Sequence, residues 1–143
     1  LKNEVFEKYC KNTDFQVIKG ENHAMLSASD ALILASGTVA LEASLYKTPM
    51  IISYKGPWLF YMLYLLVRCI KKVSLPNIIT GKDIVPELIQ YNSNADMIAY
   101  NIEKLLYEKD YREDNIEKLN EVRSLLSDKY SALEVANQIR KEI

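Results

Sequence analysis

The sequence predicts an α/β domain, a Rossmann-like parallel sheet with flanking helices, followed by a helical C-terminal segment. Three observations carry this expectation. Up to Tyr54, short and wholly apolar runs alternate with helical stretches, the pattern of strands covered on both faces. All four glycines and all four prolines precede residue 87. The last 57 residues contain neither, and they repeat apolar side chains at helical spacing.

The elements follow in order. Phe15-Gln16-Val17-Ile18 predicts a strand that stops at Gly20. Asn22 to Ser29 predicts a short helix. Ala31-Leu32-Ile33-Leu34-Ala35 predicts a second strand, broken by Ser36-Gly37-Thr38, after which Val39 to Tyr46 resumes as helix. Pro49-Met50-Ile51-Ile52-Ser53-Tyr54 predicts a third, buried strand, completing β-α-β-α-β with short crossovers. Beyond Gln90, Ile98, Ile102, Leu105 and Leu106 mark a helix opened by Asn94 or Asp96. Ile116, Leu119, Val122, Leu125 and Leu126 mark a second. Leu133, Val135, Ala136 and Ile139 mark a third, with Ser131 and Glu134 as a capping box. Residues 1–90 are thus the Rossmann-like part and 91–143 the helical part of the same domain.

Composition bounds the class. With 143 residues, 49% hydrophobic and 26% charged, the chain has the means for one packed domain and not for a disordered one. Cys10 and Cys69 are too few and too isolated for a disulfide scaffold or a metal site, and they suit a reducing cytosol. The first residues mix charges, so no signal peptide is expected. The chain opens on Leu1 without Met, as a piece of something longer would. Its net charge of −1 hides a division: from Ala43 to Lys82 there are six basic residues and no acid, while from Glu87 onward there are 12 acidic and 8 basic. The basic stretch reads either as a solvated face or as a surface that meets phosphates or an anionic lipid leaflet. A pI near 5.9 and the lack of a nucleic-acid motif argue against DNA or RNA. Within the stretch, ten apolar residues run from Trp58 to Val67, too few to span a bilayer, which takes about 20. They read as a buried helix, or as an interfacial one whose aromatics meet headgroups while Arg68, Lys71 and Lys72 meet anionic lipid.

The segment most suggestive of chemistry is Ala35-Ser36-Gly37-Thr38-Val39-Ala40-Leu41-Glu42, which leaves a strand and opens a helix. Ligands of open α/β sheets bind at that end of the strands. Gly37 permits a sharp turn and a close backbone approach. Free amides at the helix start, with the hydroxyls of Ser36 and Thr38, make an anion site. Glu42 follows Thr38 by one turn, where a carboxylate accepts two hydrogen bonds from a ribose diol. Together these describe a grip for a nucleoside diphosphate. Taken plainly, Ser-Gly-Thr is also an ordinary helix cap, and Glu42 an ordinary solvated helix residue.

That block, followed by Pro49-Met50-Ile51-Ile52-x-Tyr54-Lys55, Ser74-Leu75-Pro76-Asn77-Ile78-Ile79-x-Gly81 and Val85-Pro86-Glu87-Leu88-Ile89-Gln90, resembles the lipid-A-disaccharide synthase family in order and approximate spacing. The resemblance implies the C-terminal, donor-binding half of a GT-B glycosyltransferase. Such an enzyme transfers a 2,3-diacylglucosamine from UDP to a 2,3-diacylglucosamine 1-phosphate, with inversion, forming the β-1′,6-linked lipid A disaccharide and releasing UDP. It implies no metal and no cofactor, the UDP-sugar being a substrate, and a peripheral place on the cytoplasmic face of a bacterial inner membrane. Ser36, Gly37 and Thr38 would then meet the pyrophosphate and Glu42 the ribose. Tyr54 and Lys55 match a Tyr followed by a basic residue. Asn77, Glu87 and Gln90 would line the donor sugar or the inter-domain cleft. Without the resemblance, Ser74-Leu75-Pro76-Asn77 reads as a strand end with an Asn turn, and Pro86-Glu87 as the start of a helix.

The family's lipid-binding N-terminal domain, expected to supply the catalytic base, has no counterpart in this sequence, so the fragment is expected to bind UDP weakly and turn nothing over. The lone His23 reads as a surface residue. Two other classes compete: a non-catalytic membrane- or partner-binding module using residues 58–72, and another UDP-sugar enzyme such as an epimerase or a murein-precursor transferase. The terminal helix, from Ser131 on, is expected to pack on its own domain, to fray, or to exchange with a second copy in a homodimer.

Overall fold

The computed structural model describes residues 6, 9–10, 13–35, 37–57, 62, 72–127 and 131–142. They form a helix α1 (Asn22–Ala28), strand β1 (Leu32–Leu34), helix α2 (Val39–Tyr46), strand β2 (Met50–Tyr54), helix α3 (Leu75–Thr80) and strand β3 (Glu87–Ile89). A single 3₁₀ turn (Gln90–Asn92) leads to helices α4 (Ala95–Tyr107), α5 (Lys109–Ser127) and α6 (Ser131–Glu142). The strands make one parallel sheet in the order β1-β2-β3. Leu34 pairs with Ile52, and Tyr54 pairs with Ile89. The α/β class and the helical C-terminal segment are as the sequence predicts.

Strand β2 is central, and its alternation divides the core. Met50 and Ile52 face one layer, where Ala40 and Ala43 of α2 and Leu119 and Val122 of α5 pack with Leu26, Ile84 and Val85. Ile51 faces the other, against Leu88 and Leu105 of α4. All three β2 residues are fully buried. A strand enclosed on both faces needs apolar residues at consecutive positions, which is why this run lacks a polar alternation. Small Ala40 and Ala43 let α2 approach the sheet closely.

Helix ends follow local chemistry. Asn94 caps α4 by accepting the Met97 amide at 3.0 Å, which decides between Asn94 and Asp96. Helix α5 starts at Lys109, well before the first apolar residue of its predicted stripe, because Tyr111 in its first turn packs against the Ile51, Leu88 and Leu105 cluster. Arg112 there donates to the Asp30 carbonyl at 2.6 Å and ties the helix to the β1 entry. In α6, Val135 and Ile139 are exposed, so packing on its own domain does not describe these two positions. Its predicted capping box, Ser131 with Glu134, lies outside the described side chains.

Three expectations change. Residues 14–19 carry no strand, and Phe15, Val17 and Ile18 are exposed. A strand exists only by pairing, and residues 14–18 join no ladder among the described residues. As a result β1 is an edge of the described sheet, and Ile33, expected to be buried, is 53% exposed. The Leu75–Pro76–Asn77 block is helical, with Ser74 as its N-cap and Pro in the first turn, where its missing amide costs nothing. Pro86-Glu87, read as a helix start, instead leads into β3. The apolar stretch 58–67 lies outside the described residues apart from Met62. No described helix is long and apolar enough to cross a membrane.

Burial, not residue type, sets the contribution of these isoleucines. Ile51→Ala is expected to cost about 2–5 kcal/mol in urea unfolding, and Ile33→Ala less than about 1 kcal/mol. Equal losses would contradict the two-faced core.

Candidate functional site

The parallel register sends three turns out of the same edge of the sheet: Ala35 to Thr38 after β1, Lys55 to Pro57 after β2, and Gln90 to Asn92 after β3. In open α/β sheets this carboxyl edge is where ligands bind. The turn after β1 has the clearest shape. Gly37 adopts φ of 151°, and the position a Cβ would take there has no atom within 4 Å. The turn is therefore both inaccessible to ordinary side chains and open to an incoming group.

Helix α2 begins without using its own cap. Thr38 has helical dihedrals (φ −64°, ψ −28°), and its side chain caps no amide. The first bonds are donated by Ala40 to Gly37 O and by Leu41 and Glu42 to Thr38 O. The amides of Thr38 and Val39 thus stand ahead of the helical ladder, at the positive end of the helix dipole. The Thr38 hydroxyl is exposed beside them. The ordinary-cap reading of Ser-Gly-Thr does not describe Thr38, while Ser36 lies outside the described residues. One turn on, the carboxylate of half-buried Glu42 has neither ion pair nor hydrogen bond among the described residues.

The second turn brings Tyr54 and Lys55 to the same edge, both exposed. The Tyr54 ring crosses Gly56 so closely that a Cβ there would lie 3.1 Å from Tyr54 Cε1. The third turn supplies Gln90, which donates to the Gly56 carbonyl at 3.2 Å. Gly37, Thr38, Glu42, Tyr54, Lys55 and Gln90 therefore belong to one end of the sheet.

Asn77 and Glu87 do something else. The Asn77 amide donates to Val85 O at 2.9 Å and to Glu87 Oε1 at 2.8 Å, and its oxygen accepts the amides of Ile84 and Val85 at 2.8 and 2.9 Å. Both donors and both lone pairs are spent, and the residue is 1% exposed. Glu87 Oε1 also accepts from Ser74 N at 2.8 Å and Ser74 Oγ at 2.6 Å, while Oε2 accepts Val73 N at 3.0 Å. The polar atoms of Asn77 and Glu87 thus hold α3 and the strand entry together. A carboxylate at the N-terminus of α3 also complements the helix dipole.

The basic stretch is partly neutralised. Lys72 pairs with Asp83, and Lys82 with Glu121 at 2.7 Å. Lys47 closes α2 in the left-handed conformation. Lys55 stays at the site edge, and Arg68 and Lys71 lie outside the described residues. His23 is exposed, its Nδ1 3.3 Å from the Tyr46 hydroxyl, as the surface reading has it. No group of three or more potential metal ligands occurs among the described residues. Sequence reasoning passed over Gly56, Ser53 and Ser93, whose only signal is position next to strand ends.

A model of the lipid-A-disaccharide synthetase family matches residues 2–143. Among curated proteins, lipid-A-disaccharide synthase from Anaeromyxobacter dehalogenans is 36% identical over 129 residues, covering 90% of this chain and 34% of the relative. The protein of the same name from Hydrogenovibrio crunogenus is 41% identical over 105 residues, 73% of this chain and 28% of its own length. That from Cupriavidus pinatubonensis is 43% identical over 83 residues, 58% and 21%. The chain spans about a third of the length of the first of these relatives and less of the others.

The two kinds of polar residue separate in stability. Asn77→Ala strands several buried groups and is expected to cost about 2–4 kcal/mol in urea unfolding. Glu42→Ala removes no described bond and is expected to change stability by less than about 0.5 kcal/mol. A large loss from Glu42→Ala would show that the carboxylate serves the fold.

Proposed function

The chain belongs to the lipid-A-disaccharide synthase family, and from that membership we propose that it is the donor-binding part of an inverting glycosyltransferase. The whole enzyme moves a 2,3-diacylglucosamine from UDP to the 6-hydroxyl of a 2,3-diacylglucosamine 1-phosphate, producing lipid A disaccharide and UDP. The observation that carries the reading is the helix start after β1: an open Gly37, an α2 whose Thr38 side chain caps no amide, and a Glu42 carboxylate without a partner among the described residues one turn along. These are the groups a diphosphate and its adjoining ribose require.

In this reading Ser36, Gly37 and Thr38 hold the pyrophosphate and Glu42 the ribose hydroxyls. The acceptor hydroxyl attacks C1 of the donor sugar on the face opposite the diphosphate, and the C1–O bond to UDP breaks as the new one forms. Negative charge grows on the departing diphosphate, where the α2 dipole and Lys55 stabilise it. Lysine provides this as a point charge without a bidentate fork. The base that takes the acceptor proton belongs to the part of the enzyme that binds the lipid, so this chain alone binds UDP and transfers nothing. The reading calls on no metal or cofactor.

Titration of the 143-residue chain with UDP tests this. At millimolar UDP, hydrogen exchange is expected to slow across residues 37–42. Glu42→Ala is expected to weaken UDP binding by about 1–3 kcal/mol. Uniform exchange with and without UDP would sink the assignment, and an unchanged affinity would remove Glu42 from the site.

A further inference from the structure

Two pins brace the turn after β3 against β2. The Gln90 side-chain amide donates to Gly56 O at 3.2 Å, and Ser93 Oγ lies 2.8 Å from Ser53 Oγ. Between them the turn closes on itself, Ser93 N donating to Gln90 O at 3.0 Å. Gln90 takes a φ of 55°, a left-handed conformation uncommon for a residue with a side chain. Left-handed backbone persists at a non-glycine position only where its surroundings hold it, and the bonds to Gly56 and Ser93 do so.

The brace has a consequence for Tyr54. Its ring edge, from Cε1 to the hydroxyl, passes over Gly56 at 3.1 to 3.6 Å from where a Cβ would stand. Gly56 leaves the ring this place, since an added Cβ would meet it at 3.1 Å and displace it by a few tenths of an ångström, and Gln90 holds the Gly56 peptide. Because Tyr54 ends β2, it stands one strand over from the turn carrying Gly37 and Thr38.

We infer that Gln90 and Gly56 are positioning residues, which fix the Tyr54 ring and the adjoining Lys55 as a wall of the nucleoside diphosphate site. Gln90 acts through Gly56 and spends its donor there. This rests on the donor-site reading above, and it adds a division of labour: the β1 turn holds the diphosphate, and the β2 turn, set by β3, shapes the space beside it.

The test uses the full 143-residue chain, UDP as the probe, and two variants, Gln90→Gly and Gly56→Ala. Gln90→Gly keeps the left-handed turn accessible and removes only the side-chain bond. In the unmodified chain, cross-relaxation between the Tyr54 ring protons and the Gly56 Hα protons is expected by NMR without any ligand. Both variants are expected to lose the normal Tyr54–residue 56 contact and to weaken UDP binding about three- to tenfold. Thermal midpoints are measured alongside, and each variant's affinity is taken where it is fully folded. An intact ring contact with unaltered UDP affinity in both variants would overturn the positioning role, as would loss of the contact with no loss of affinity. If the unmodified chain binds no UDP, the donor-site reading itself fails, while the NMR contact still reports whether the brace sets the ring.

Discussion

Everything in this domain hangs on the parallel pairing of β2 with both of its neighbours. Met50, Ile51 and Ile52 are fully buried, so β2 cannot slip by one residue without driving the Met50–Ile52 face into the α4 layer and Ile51 into the α2–α5 layer. That register fixes where each strand ends. Because all three run the same way, their exits gather at one edge, and the backbone groups that the sheet no longer uses meet there. The site is a by-product of the pairing direction. An antiparallel neighbour would have sent its exit turn to the opposite end.

The polar residues divide by whether the fold has consumed them. Asn77 is saturated by four hydrogen bonds within the domain, and Glu87 receives four. A buried polar network of this kind is tolerable only when its members find partners, and here those partners are groups of the fold itself. At the carboxyl edge the opposite holds. The Thr38 side chain caps no amide, the Glu42 carboxylate has no partner among the described residues, and the unfilled space at Gly37 adjoins them. Groups left unpaired at the surface lose little, since water satisfies them until a better partner arrives.

Charge follows the same rule. Two lysines of the acid-free stretch are bound to Asp83 and Glu121, acids that lie beyond it in sequence. Exposed pairs of this type contribute little to stability, but they lower the positive field that the bare sequence implies. Lys55, by contrast, is exposed at the carboxyl edge of the sheet.

The amino-acid sequence by itself determined the class of the fold, the helical tail and the turn at Gly37. Apolar periodicity, glycine placement and helix-capping chemistry are local, and local preference is readable from neighbours in the chain. The four spaced blocks, taken together, were enough to mark the family. Only the tertiary structure decided which apolar runs become strands: Phe15 to Ile18 has the composition of one and joins no ladder among the described residues, while Glu87 to Ile89 looks like a helix start and is paired by β2. It alone separated Asn77 and Glu87 from Thr38 and Glu42, residues of similar chemistry in adjacent motifs. It also brought Gln90 onto Gly56, 34 positions away. Pairing and saturation depend on what distant segments bring to the same place, and no window of sequence contains that information.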